Sequence, residues 1–120
     1  MGTSVFDSVL LKNSWSTEEM RGIFNDEARI QRWLDVEAAL ALEQAKLGMI
    51  PTAAAEEIAT KSKFDAIDMD LVLHHLAVTK HPLVPVVRAL EHACENGAGE
   101  YVHFGVTTQD IIDTGLVLQM

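Results

Sequence analysis

Residues 101–119 read YVHFGVTTQDIIDTGLVLQ. The stretch passes from a loop bearing a histidine and a glycine into an amphipathic helix. Thr107 is a favoured N-cap residue, and Asp110 follows three positions later. This is the T-x-x-D form of a capping box, set just before the apolar run Ile111, Ile112, Leu116, Val117 and Leu118. Gly105 can leave ordinary backbone space and let the chain come close to a ligand. The hydroxyls of Thr107 and Thr108, with the free N–H groups of the first helical turn, make a cluster of donors at a positive helix end. Such a cluster suits a carboxylate or phosphate. Capping alone accounts for the same residues, and both readings stand on spacing.

The 120 residues fit one domain with a modest core. Hydrophobic residues make up 48% and aromatics only 6%, so the core is aliphatic and alanine-rich, which favours packed helices over a β-sandwich. The formal charge of −9 argues against a nucleic-acid groove or an anionic membrane surface. A local cluster of donors, not the global charge, decides whether an anion binds. Cys94 is the single cysteine, so an intrachain disulfide is impossible and a reducing compartment is expected. No apolar run is long enough to span a bilayer. A cytoplasmic protein is expected.

Periodicity and caps predict an all-α chain. Ser16-Thr17-Glu18-Glu19 reads as a capping box opening a short helix with Met20, Ile23 and Phe24. The strongest helix covers about Asp26 to Leu47, with Ile30, Trp33, Leu34, Glu37, Ala38, Leu40, Ala41 and Ala45 at helical spacing; Gly48 and Pro51 end it. Further helices are expected over Thr52–Thr60, from Asp68 to about His75 or Val78, and from Pro82 to Glu95, closed by Asn96-Gly97. The last begins near Thr107 and is uncapped at Met120. Its apolar residues call for a partner surface, so the sequence is expected to be an N-terminal piece that could oligomerise through that stripe.

Several side chains are candidates for chemistry. His74 and His75 point about 100° apart on a helix and cannot chelate one metal as an i, i+4 pair would; no metal site is expected. His92, between Glu91 and Glu95, reads as solvated surface. His81, in Thr79-Lys80-His81-Pro82, is placed at or next to an N-cap with its ring free to reach outward; a neutral donor histidine or a plain loop histidine both fit. His103 stands four residues before Thr107, after a short extended Tyr101-Val102 segment, and either orients the same ligand or bonds loop backbone. Glu37 faces the apolar stripe of the long helix and needs a partner, either a helix N-terminus or an arginine, with Arg21, Arg29 and Arg88 as candidates. No phosphate loop, dinucleotide fingerprint or activated nucleophile is present, and no cofactor is implied.

Met20–Pro51 (MRGIFNDEARIQRWLDVEAALALEQAKLGMIP) resembles the N-terminal domain of the fumarase/aspartase superfamily. His103-Phe104-Gly105 with Thr107-Thr108-Gln109-Asp110 is similar to the first conserved region of that superfamily, and the likeness runs from about Ser16 to Met120. The branch resembled is that of the adenylosuccinate lyases and 3-carboxy-cis,cis-muconate cycloisomerases. The resemblance implies an N-terminal helical domain over 1–106 and the start of a central helical bundle over 107–120. It implies His81 and His103 as catalytic residues, Thr107, Thr108 and Gln109 as substrate-binding residues, and Gly105 and Asp110 as support.

The implied activity is β-elimination of a substituted succinate to release fumarate, in the manner of adenylosuccinate lyase. The alternatives are carboxymuconate cycloisomerisation, or an inactive helical piece with an assembly role only. The implied substrate is a small dicarboxylate or succinyl adduct, and the implied assembly is a homotetramer whose sites draw on several subunits. The family base, a serine on a loop near a Gly-Ser-Ser-x-Met-Pro signature, is not among these residues, so the 120 residues alone are expected to be inactive. Two departures bear on substrate. Pro82 follows His81 where the adenylosuccinate lyases carry His-Asp-Val, and Ser14-Trp15-Ser16 stands where they show Arg-Tyr-Ser. Asp113 to Gln119 looks more like the cycloisomerases.

Overall fold

The computed structural model describes residues 2–120, and among these there is no β-strand. Seven α-helices follow in order: α1 (Lys12–Trp15), α2 (Glu18–Phe24), α3 (Asp26–Lys46), α4 (Thr52–Lys61), α5 (Met69–Thr79), α6 (Val84–Ala93) and α7 (Thr108–Gln119). Two 3-10 turns, Phe64–Ala66 and Ala98–Tyr101, lie between them. The all-α expectation holds.

Helix starts follow side-chain chemistry. Asn25 caps α3 by accepting from the Ala28 N–H at 2.8 Å, and Asp68 caps α5 by accepting from the Asp70 and Leu71 N–H groups. α2 is capped by Thr17, which accepts from Met20 N–H at 3.2 Å. Ser16, expected within that cap, instead donates back to the Lys12 carbonyl at 2.8 Å and accepts from Arg21 at 2.6 Å. The short α1 supplies that carbonyl, and its four residues are too few to show a periodicity. α3 ends where Gly48 takes φ +72.

α6 departs from expectation. It runs Val84–Ala93, so Pro82 lies ahead of the helix and Pro85 occupies its first turn. Proline fits there because the first helical N–H groups have no intrahelical acceptor to lose. At the other end the chain turns extended at Cys94, short of Glu95.

α3 is the spine. At 1.5 Å per residue its length is about 30 Å, and α2, α4, α7 and the Phe64–Ala66 turn all pack on it. Its buried face is Ile30, Trp33, Leu34, Glu37, Ala41 and Gln44, one stripe at helical spacing. α3 and α4 pack along each other, and Ala41 of α3 and Ala54 and Ala55 of α4 are buried. Leu34, Ile58, Leu83, Leu90 and Ile111 are fully buried, each stabilising by about 1.5–3 kcal/mol.

α7 docks on α3 through Ile111, Gly115 and Gln119, and the Gln119 amide donates to the Ile23 carbonyl at 3.0 Å. The stripe expected to need a partner thus divides. Ile111 is buried and Ile112 half-buried against α3, whereas Leu116, Val117 and Leu118 are exposed. No helix among the described residues is long and apolar enough to cross a membrane.

Gly115 sits where α7 comes closest to α3. A Cβ there would stand 2.6 Å from Cδ1 of the buried Trp33 ring. Overpacking of this kind costs about 1–3 kcal/mol, and the better helix propensity of alanine returns only about 1 kcal/mol. Gly115→Ala is therefore expected to lower Tm, with Trp33 fluorescence changing in the native state. A Tm at or above wild type would show that the ring swings aside freely.

Candidate functional site

The candidate site residues gather at two places. His103, Gly105, Thr107, Thr108, Gln109 and Asp110 line the turn that enters α7. His81 stands on the separate turn between α5 and α6, and no hydrogen bond or ion pair joins the two groups among the described residues.

The α7 entrance is built by both local and distant contacts. Asp110 accepts from the Thr107 N–H at 3.0 Å and closes the capping box. Gly105 takes φ +71 and His103 takes φ +60, the second a left-handed residue with a side chain. Histidine enters that region more readily than most residues, yet L-residues still meet a cost of roughly 1–2 kcal/mol there. Two polar side chains of α3, one turn-pair apart on its buried stripe, hold the turn in place. Glu37 Oε1 lies 2.5 Å from His103 Nδ1, and the Gln44 amide donates to the Phe104 carbonyl at 2.7 Å.

Glu37 is 3% exposed, and its partner is His103 rather than any of the arginines expected from sequence. Arg21 is spent on Ser16, Asn13 and the Lys12 carbonyl, Arg29 on Asp26, and Arg88 is exposed. Burial pushes the Glu37 carboxyl above its ordinary 4.5, against the opposing pull of the His103 bond, and its Oε2 has no hydrogen-bond partner among the described residues. Gln44 Oε1 is in the same position. Sequence reading passed over Gln44. The available signal was a second polar residue seven positions after Glu37, on the same face of a buried stripe.

The remaining side chains sort by what already occupies them. The capping box engages Thr107 and Asp110. Gln109 donates to Asp113 at 2.7 Å along the helix surface. Thr108, half-buried at the first helical position, makes no protein side-chain hydrogen bond among the described residues. His81 was expected to reach outward; its Nδ1 instead turns back and accepts from the Leu83 and Val84 N–H groups at 3.2 and 3.4 Å. That contact caps α6, and it fixes the proton of the neutral ring on Nε2. Tyr101, expected to be extended, lies in a 3-10 turn, and the extended backbone begins at Val102. The pronounced grooves, one between the α2–α3 corner and Lys63–Ala66 and one beside Phe6, Trp15 and Phe24, are not lined by any of these residues. Among the described residues no group of three His, Cys, Asp or Glu is placed to hold a metal ion.

Two mutations test this geometry. Thr107→Ala removes a cap worth about 1 kcal/mol and is expected to lower Tm by a few degrees in a thermal melt; an unchanged Tm would mean that the box is not closed in solution. Glu37 gives a pH signature. Because its carboxyl is raised, the folded chain holds that proton more tightly than the unfolded chain. Its contribution to stability is therefore present below 4.5 and is lost as pH rises through the folded value. Glu37→Gln lacks this loss, so its stability relative to wild type is expected to climb from pH 4 to neutral in urea titrations. A difference that stays flat or declines would show that the histidine outweighs burial.

Comparison with known proteins shows what the chain resembles. No protein-family model matches the chain. Across all 120 residues it is 51% identical to an N-acetyl-S-(2-succino)cysteine lyase of Enterococcus italicus, covering 26% of that protein. Over 100 residues, 83% of the chain, it is 46% identical to an adenylosuccinate lyase of Methanocaldococcus jannaschii, covering 22% of it. A crystal structure of the 3-carboxy-cis,cis-muconate lactonizing enzyme of Pseudomonas putida superposes with a TM-score of 0.78 at 39% identity, over 86% of this chain and 24% of the enzyme. The chain thus spans about a quarter of the length of the relatives it matches. Its homologues are lyases of the fumarase/aspartase superfamily, and the chain is similar to their N-terminal portion in sequence and in helical fold.

Proposed function

We propose that the protein is a lyase that splits an S-substituted succinate by β-elimination, releasing fumarate and a thiol, and that these residues supply the part that grips a carboxylate. The observation that carries this reading is the 51% identity, over the whole of this chain, to an N-acetyl-S-(2-succino)cysteine lyase. Ser14-Trp15-Ser16, where nucleotide-cleaving relatives are expected to carry Arg-Tyr-Ser, favours a leaving group smaller than a nucleotide. An adenylosuccinate lyase is the second reading, supported by the 46% identity to the archaeal enzyme.

In the proposed reaction a base takes a proton from the carbon next to one carboxylate. Negative charge spreads into that carboxylate as the carbanion forms. The Thr108 hydroxyl and the N–H groups of the first turn of α7 are fixed donors at a positive helix end, and they stabilise the charge as it develops. The C–S bond then breaks, sulfur leaves with the electron pair and is protonated by a general acid, and the double bond of fumarate forms. The His81 ring, with its proton on Nε2, is suited to donate to the second carboxylate. Proton abstraction is assigned to a group outside these 120 residues. The domain boundary before Thr107, and contact of the exposed Leu116–Leu118 edge with further subunits of a cytoplasmic homotetramer, belong to the same proposal.

The test is an ultraviolet assay of fumarate formation by the gene product as the cell makes it. It would be offered N-acetyl-S-(2-succino)cysteine, adenylosuccinate and 3-carboxymuconate separately. Turnover of the first is expected; turnover of adenylosuccinate alone moves the assignment to the second reading, and lactone formation from carboxymuconate alone overturns both. Thr108→Ala is expected to cut kcat by about 10²-fold, the cost of losing one donor to a developing oxyanion, with Tm unchanged. A Thr108→Ala enzyme with full kcat would remove the hydroxyl from the mechanism.

A further inference from the structure

The two histidines of the candidate site are held by opposite nitrogen contacts. At His81 the Nδ1 atom receives two backbone N–H groups, so Nδ1 is the lone pair and Nε2 carries the proton. At His103 the Nδ1 atom faces the Glu37 Oε1 atom, and the His103 backbone N–H also favours the charged form of that carboxyl. A carboxylate is an acceptor, so the proton of this ring belongs on Nδ1 and Nε2 is the lone pair. His103 Nε2 makes no hydrogen bond among the described residues, and the side chain keeps 16% of its surface exposed beside Gly105 and the α7 entrance.

We infer that Glu37 is a positioning residue that holds His103 as the Nδ1–H tautomer, so that the α7 entrance presents an Nε2 acceptor while His81 presents an Nε2 donor. The inference deepens the lyase proposal and rests on it for its catalytic consequence, though not for the tautomer itself. Three features support it. The pair is shielded from water on the Glu37 side, where Coulomb interactions are strong. The left-handed backbone of His103 lets the ring point down into α3 rather than out to solvent. Gln44 grips the next carbonyl, so the ring cannot follow a loose loop.

An acceptor nitrogen at this place repels a substrate carboxylate and attracts a donor. The carboxylate is therefore left to Thr108 and the helix end, and His103 Nε2 is matched to a substrate N–H or to a proton in transit. If that nitrogen takes a proton, the ring becomes imidazolium with both N–H groups formed, and the Glu37 carboxylate at Nδ1 stabilises the positive charge. No electrons are exchanged, and the proton returns when the ring gives it up. The other charged group acting on Glu37 is Glu91, which raises the cost of a second negative charge there.

The experiment is nitrogen-15 NMR of the histidine rings in the gene product labelled at histidine, above pH 7, with His103→Gln and His81→Gln used for assignment. His103 is expected to show a protonated Nδ1 and a bare Nε2, and His81 the reverse. A His103 ring protonated on Nε2 and bare at Nδ1 would mean that Glu37 is the donor, and would overturn the inference. Glu37→Gln, which can either donate or accept, is expected to mix the two tautomers of His103. In whichever substrate assay is positive, it should lower kcat by tenfold or more and shift the pH profile, with a smaller effect on KM. A folded Glu37→Gln enzyme with wild-type tautomer, kcat and pH profile would also overturn it. If none of the three substrates reacts, the lyase proposal fails while the spectra still decide the tautomer.

Discussion

Everything at the α7 entrance depends on a buried carboxylate. Glu37 lies on the apolar stripe of the spine helix, where an unpaired charge would cost several kcal/mol, and it is tolerated because His103 meets it across 66 residues of chain. The arrangement works in both directions. The histidine satisfies one oxygen of the glutamate, and the glutamate compensates for the left-handed backbone that brings the ring inward. Gln44, two turns along, holds the neighbouring carbonyl. The entrance is thus shaped from beneath by α3, while the threonine motif lies on another element.

This layering separates two roles that the sequence superimposes. In YVHFGVTTQD both threonines are equally good candidates for capping and for holding an anion. The structure engages Thr107 in the cap with Asp110, and among the described residues the Thr108 hydroxyl has no protein partner. One residue belongs to the capping box; its neighbour does not. Gln109, tied to Asp113, is held along the helix surface instead of over the entrance.

The parts legible in sequence were those decided within a few residues. The helix starts at Asp68 and Thr107, the stop at Gly48 and the stripe of α3 all follow from neighbours three or four positions away, whereas the cap of α2 fell one residue later, at Thr17 rather than Ser16. Pro82 misled because two prolines stood near one helix start, and the ring of His81, which no short-range pattern anticipates, takes the N–H groups that set the boundary. Glu37 was legible as a buried charge in want of a partner. The identity of that partner was not, because arginine is the commoner answer and a contact over 66 positions leaves no periodic trace. Close approach at Gly115 was hidden for the same reason, since Trp33 lies on a different helix.

The capping box is closed between residues three apart, whereas the histidine is oriented from a helix that precedes it by most of the chain. A short peptide of the motif would therefore keep its helical start and lose the direction of its ring. Inheritance follows the same division. Two lineages can share every letter from His103 to Asp110 and still present different atoms to a ligand, if positions 37 or 44 have changed. The variation that tunes this entrance is to be sought in α3, outside the stretch by which the family is recognised.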